Sequence, residues 1–338
     1  MRAYSRFLCA VIVVATGACN GDGEVTADQA NQVAAVDTIR LAQEWFPNAN
    51  YAGALMANEV FASANRIHLD ILPGSDQVDA IKLLVSGQTD FADVGADRVL
   101  DANARNADLV VVGVVNAISP VVFVVKESSG ISSPQDFVGK RVGILPGTPT
   151  ETVYRLMMQR ARVDRQKVRE MEVPFELATF ISGEYDVRPA FAYDEPVTLE
   201  REHIAIRPLI EPSRFGVEFL GTVYVTTRKY IDANPDRTRR FVVAVADGWR
   251  YALRHQDFAI ASLHRYDPKS DSARELIALR KAEPFLSGEG GKVLFASRER
   301  WQRMVEQLRE IKAPVPVHWE QGIEMKFVED YHFHLKEN

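Results

Sequence analysis

Cysteine is nearly missing from this chain: of 338 residues only Cys9 and Cys19 carry a thiol, and both fall within the first nineteen. Everything downstream therefore folds without a disulfide and offers no thiol nucleophile. Long apolar runs are missing as well. After the N-terminal run no stretch reaches the roughly 18 apolar residues that a bilayer-spanning helix needs. Basic charge is not in excess either. A net charge of −6 argues against a nucleic-acid binder, which carries a basic patch, and against a surface that gathers anions by long-range steering.

Motifs for chemistry are equally thin. Gly288-Glu289-Gly290-Gly291-Lys292 falls short of a phosphate loop, because Val293 replaces the metal-binding Ser/Thr and Leu286 stands where the first glycine belongs. No Gly-x-Ser-x-Gly elbow occurs. His332 and His334 have no third ligand at recognisable spacing and read as a solvated tail. There is no internal repeat and no low-complexity segment. Nothing calls for a catalytic residue, a metal or a cofactor.

What is present is an ordinary globular composition, 46% hydrophobic and 25% charged, in a chain long enough for two domains. Arg2 and Arg6 precede the apolar run Phe7–Ala15, and the small residues Thr16-Gly17-Ala18 lead to Cys19. That order is a secretory signal over residues 1–18. Small residues before a cysteine are similar to a bacterial lipobox, with Thr16 where leucine is usual, so Cys19 is the expected lipidation site. Simple cleavage before Cys19 is the alternative. Residues 19–37 are the expected lipid-anchored linker, in which Asn20–Gln32 is polar and rich in Gly, Asp and Ala, as a tether from membrane to domain would be.

From Val36 onward short apolar runs alternate with amphipathic segments, which predicts an α/β fold. Strands are expected at 36–41, 68–72, 91–94, 109–115, 121–125, 141–145, 168–173, 187–192 and 223–226. Helical spacing marks 51–64, with Leu55, Met56, Val60 and Phe61 on one side. Further helices are expected at 78–85, 96–106, from Thr150, at 175–182, 235–254 and 298–311. Trp249, Trp301 and Trp319 read as packing residues.

The loop after the first strand carries Trp45, Asn48, Asn50 and Tyr51, flat apolar surface with amide donors and acceptors. The competing reading makes Trp45 and Tyr51 core aromatics and the asparagines turn formers. Thr148, Pro149 and Glu151 fit the N-cap, N1 and N3 positions of a capping box, or else Thr148, Thr150 and the free amides meet a ligand. Glu151 already supplies negative charge there, which disfavours an oxyanion. Asp93, Asp97, Asp194 and Glu195 fall near strand ends. They are solvated loop carboxylates, or acceptors for ring N–H groups and exocyclic amines. Trp45, Tyr51 and Tyr193 are candidates to sandwich an aromatic ring. Asn116 and Ser119 stand at the first crossing between halves, as ligand contacts or as a hinge turn. Phe215, before the second crossing, is a further ring contact candidate.

The chain resembles the type II periplasmic substrate-binding proteins of ABC importers, in the branch of nitrate, sulfonate and thiamine-pyrimidine-precursor binders. Six stretches in order carry the likeness: Trp45–Gly53, Ser86–Phe91, Asp136–Gly143, Gly183–Val187, Asp194-Glu195-Pro196, and Asn234-Pro235 leading to Gly248-Trp249. The pyrimidine-precursor branch is nearest, although Tyr51 stands where its members commonly have histidine. The resemblance implies a two-lobed α/β fold: residues 38–118 plus 222–338 form one lobe and 119–221 the other. It further implies a small-molecule ligand in the cleft and closure about the two crossings. An ABC permease with its ATPase would be the partner, and the membrane would be met only through the lipid anchor. The expected state is a monomer in the periplasm or cell envelope. A nitrate, sulfonate or taurine binder is the alternative of the same kind, and a pyrimidine-synthesis enzyme on a related fold is the alternative of a different class.

Overall fold

In a computed structural model, residues 36–335 are described. The signal, the tether and Cys19 lie outside them. Most strands form where the short apolar runs stand; Arg169–Glu172, charged and exposed at every position, is an exception. Valine-rich runs such as Leu109–Val114 and Val121–Val125 are buried at every position, as strands covered on both faces must be.

Among the described residues nine strands build two sheets. The first uses β1 (Asp37–Gln43), β2 (Ile67–Leu72), β3 (Phe91–Gly95), β4 (Leu109–Val114) and β9 (Thr222–Thr227), in the order β2-β1-β3-β9-β4. β1, β2 and β3 run parallel, and β9 enters antiparallel between β3 and β4. The second uses β5 (Val121–Val125), β6 (Arg141–Ile144), β7 (Arg169–Glu172) and β8 (Val187–Phe191), in the order β5-β8-β6-β7. Each sheet is the centre of one lobe.

The chain passes between the sheets after β4 and returns just before β9. The two passages lie side by side, with Gly221 N donating to Asn116 O (2.9 Å) and Ser119 N to Phe219 O (2.8 Å). A Cβ on Gly221 would sit 2.7 Å from Asn116 Cβ, so only glycine lets the passages approach this closely. Apolar packing continues through the junction, because Val217, Phe219 and Leu220 share one buried cluster with Val94 of β3 and Phe123 of β5.

Helices cover the sheets. Pro235–Arg254 presents Phe241, Val242, Val245 and Trp249 to the core, as the spacing predicts, while Leu253 is half-buried. Trp249, Trp301 and Trp319 are all buried. Gly248 carries the helix against its neighbour: a Cβ there would meet Gly53 O at 2.1 Å. Two expectations need correction. Val60 is 38% exposed rather than aligned with Leu55 and Met56. The reason is a π-helical turn over Ala57–Phe61, whose extra residue rotates the apolar face. The C-terminal histidines are not on a solvated tail. They lie in helix Lys326–His334, docked through Val328 and Tyr331, with His332 Nε2 2.9 Å from Val293 O.

Candidate functional site

Ligand-sized space opens where the carboxyl ends of β1 and β3 face the second lobe, the place an open α/β sheet offers a ligand. The cleft encloses about 510 Å³, within the range of small-molecule sites. Of the residues singled out from sequence, Trp45, Asn48, Asn50, Tyr51, Asp93, Ser119, Thr148, Thr150, Asp194 and Glu195 line it. Asn116, Glu151, Tyr193 and Phe215 do not.

The first loop is held from both lobes. Asn48 Oδ1 accepts from Asn50 N (2.9 Å), and its Nδ2 donates to Asp194 Oδ2 (3.3 Å) on the far side of the cleft. Asn50 Oδ1 accepts from the hydroxyl of Tyr193 at 3.1 Å. Tyr51 is buried, its hydroxyl donating to Trp45 O (2.6 Å) and accepting from Gly74 N (3.1 Å). Burial pushes the Tyr51, Tyr193 and Tyr224 phenols up, so all stay protonated. The ring that faces Trp45 is Phe175, which sequence reading placed only in a helix. The rings meet edge to face at 4.6 Å across the cleft. Phe175 lies just before helix Ala178–Ser182, so nothing in its local sequence marks it.

Thr148 precedes helix Pro149–Arg160 with Pro149 at its first position, but no capping box forms. The Thr148 hydroxyl instead bonds Leu145 O (2.8 Å) and Thr150 Oγ1 (2.7 Å), and Glu151 accepts from Gly147 N at 2.9 Å. Thr148 Oγ1 therefore cannot turn to the helix amides. Asn116 is fully buried between the two passages, its Nδ2 without a partner. Ser119 accepts from Val121 N, and Phe215 packs into the core beyond the cleft. Asp97 is buried beneath a hydrogen bond with Thr152 and does not face the cleft.

Carboxyl groups outnumber cations in the lining. Six carboxylates line the cleft, Glu44, Asp76, Asp79, Asp93, Asp194 and Glu195, against the cations Lys82 and Arg98. Most of these acids are engaged. Glu44 accepts from Gly95 N (2.9 Å) and pairs with Arg98, which also reaches Asp79 at 3.5 Å. Burial still pushes the Glu44 carboxyl up despite Arg98. Asp194 pairs with Arg274, and Glu195 lies 3.6 Å from the buried guanidinium of Arg188. Burial first, and the charge of Asp194 second, push Glu195 up to about 7. Asp93 is different: it is buried, no cation offsets it, and Oδ2 has no hydrogen-bond partner. Glu44, Arg98 and Gln43 escaped sequence reading, although Gln43 and Glu44 directly continue the first strand beyond its apolar residues. Among the described residues no group of three or more His, Cys, Asp or Glu is arranged to hold a metal ion.

Comparisons with known proteins agree with this architecture. The NMT1/THI5-like family model matches residues 48–259. The 4-amino-5-hydroxymethyl-2-methylpyrimidine phosphate synthase of Legionella pneumophila is 31% identical over 108 residues, which span 32% of this chain and 34% of that protein. Among solved structures, the periplasmic aliphatic sulphonate binding protein SsuA of Escherichia coli superposes with a TM-score of 0.70 at 18% identity, covering 86% of this chain and 92% of its own. The alkanesulfonate-binding protein SsuA of Xanthomonas axonopodis pv. citri gives a TM-score of 0.68 at 15% identity, covering 86% and 99%. The fold is the two-lobed α/β fold of the periplasmic binding proteins.

Proposed function

This chain belongs to the NMT1/THI5-like family, and from that premise we propose that it is the substrate-binding protein of an ABC importer, capturing a small nitrogen heterocycle of the thiamine-pyrimidine-precursor kind. The observation that carries the ligand class is the acidic cleft. Both lining cations, Lys82 and Arg98, are already paired with lining carboxylates, which disfavours nitrate or a sulfonate, and the wealth of carboxyl oxygens favours a ring that donates hydrogen bonds. Trp45 and Phe175, in edge-to-face contact with each other, add aromatic surface against which such a ring can pack.

Isothermal titration against a panel of pyrimidines, flavins, sulfonates and nitrate tests the class. Binding is expected for the heterocycles, and Trp45→Ala is expected to weaken it up to tenfold, since one ring contact contributes about 0.5–1.5 kcal/mol. Tight binding confined to the oxyanions would overturn the proposal.

Delivery implies a permease and its ATPase as partners, and lobe closure about the passages at Ser119–Val121 and Gly221–Thr222, with the protein acting as a monomer outside the cytoplasm. The lipid anchor at Cys19 is part of the same reading. Two anchoring signals hold a protein stably on a bilayer, which a fully processed lipoprotein would supply. Cys19→Ser is expected to move the protein from the membrane to the soluble fraction; retention in the membrane pellet would remove the anchor.

The synthase relative supports a second reading, turnover of a pyrimidine on this fold. The cleft lining contains acids, amides and hydroxyls but neither histidine nor cysteine. Release of a new product from any panel compound would favour that reading over transport.

A further inference from the structure

Asp93 and Gln43 stand at the same register on the parallel strands β3 and β1. Both side chains line the cleft, and they are 4% and 2% exposed. Asp93 Oδ2 and Gln43 Nε2 have no hydrogen-bond partner. Buried polar groups are nearly always satisfied, so two adjacent unsatisfied ones facing a ligand-sized cleft point to a partner that arrives from outside.

The titratable groups around Asp93 decide what that partner must be. Glu44 faces it from the end of β1, and Tyr51, Tyr224 and Tyr193 sense its charge from the helical segment after the first loop, from β9 and from the second lobe. All are acids. Arg98, the cation of this wall, is paired with Glu44 and Asp79. Burial and the Glu44 charge hold the Asp93 carboxyl well above the usual carboxylate range, which favours its neutral, proton-bearing form in the free protein.

We propose that Asp93 and Gln43 form a proton-exchanging subsite that selects a solute presenting a basic or cationic nitrogen beside a hydrogen-bond acceptor. When a permanent cation binds, the Asp93 O–H bond breaks, the proton leaves to solvent and the carboxylate remains as counter-ion. When an uncharged basic ring nitrogen binds, the same proton passes from Oδ2 to that nitrogen, and no proton is exchanged with solvent. Gln43 Nε2 donates to the neighbouring acceptor, at the roughly 4.8 Å spacing of adjacent strands. This inference rests on the heterocycle reading of the cleft and adds the charge state of the bound ring.

Calorimetric titration at pH 7 in two buffers of different ionisation heat counts the protons. The probes are 4-aminopyrimidine and its N-methylated cation. The cation is expected to release about one proton per site and the parent base none. Asp93→Asn, nearly isosteric, is expected to abolish the release and to weaken the cation at least tenfold. Equal heats for the cation in both buffers, or undiminished cation affinity in Asp93→Asn, would overturn the subsite. Should neither probe bind, the heterocycle reading fails, and the infrared band of a protonated carboxyl at pH 7 still decides the state of Asp93. Its loss in Asp93→Asn supports the neutral acid, and its absence from the unaltered protein overturns it.

Stability supplies a second readout with a definite sign. With its native value raised, Asp93 binds more proton when folded than when unfolded across the window above the ordinary carboxylate range. Its contribution is therefore fully present at acid pH and is lost as pH rises. The melting temperature of Asp93→Asn relative to the unaltered protein is expected to climb between pH 4 and pH 8. A difference that stays flat would contradict the buried neutral acid.

Discussion

Replacing Arg188 by methionine is expected to cost about 3–5 kcal/mol of folding stability, the range measured when one partner of a buried charge pair is removed. The guanidinium is 1% exposed. Nη1 donates to Pro174 O (2.7 Å) and to the Tyr185 hydroxyl (2.9 Å), and Nη2 donates to Phe175 O at 2.6 Å. One side chain thus fixes the backbone of the segment that holds Phe175 against Trp45, and it stands 3.6 Å from Glu195. Methionine fills much of the volume but leaves two carbonyls without a donor and Glu195 without its cation. Burial already pushes Glu195 up to about 7 against the lowering charge of Arg188, so losing Arg188 moves it higher. A raised carboxyl loses its contribution as pH rises, which sets the direction: the deficit is expected to be larger at pH 8 than at pH 5. Urea unfolding at both pH values checks this. Equal midpoints for variant and parent would refute the role assigned to Arg188.

A second large effect is expected at Arg274. From helix Ser272–Leu286 it pairs with Asp194 of the second lobe and with Glu275 of its own helix, and Nε donates to Thr198 Oγ1 at 3.2 Å. Glu275 in turn accepts from Ala49 N at 2.7 Å, inside the first loop. Two further pairs join this helix and its N-cap to helix Glu195–Arg201, Arg201 with Asp271 (2.9 Å) and Lys281 with Glu200 (2.7 Å). Their side chains are 36–53% exposed, so each contributes about 0–1 kcal/mol and neither replaces the buried pair. Arg274→Ala leaves Glu275 buried without a cation and frees Asp194. A destabilisation of about 3–5 kcal/mol is expected, part of it from folding and part from holding the lobes together. In stopped-flow measurements the ligand dissociation rate should rise roughly 10- to 100-fold with the association rate little changed. A variant that melts early yet releases ligand at the parent rate would show that the pair serves folding alone.

These two arginines mark where sequence reading stops. Strands were legible because their apolar runs are short, β-branched and separated by turn residues: β5 occupies the expected Val121–Val125, and helix Pro235–Arg254 keeps its expected ends. Trp45, Asp93 and the Asp194-Glu195 pair were legible as candidates because they follow or end strands. Their partners were not. Asn48 meets Asp194 across 146 positions, Asn50 meets Tyr193 across 143, and Arg274 meets Asp194 across 80. No local pattern ties such residues together. The capping box failed for a related reason: Thr148 and Glu151 have the right spacing, but both found other partners within the same turn.

Local periodicity and turn chemistry, which act over a few residues, were enough for the amino-acid sequence alone to determine the α/β class, the alternation of elements and the loops that line the cleft. Charge was different. Whether a carboxylate in those loops is solvated, paired or left neutral depends on which side chains long-range packing brings within a few ångströms and on how much water it excludes. Only the tertiary structure decided that Glu44, Asp194 and Glu195 meet arginines while Asp93 meets none.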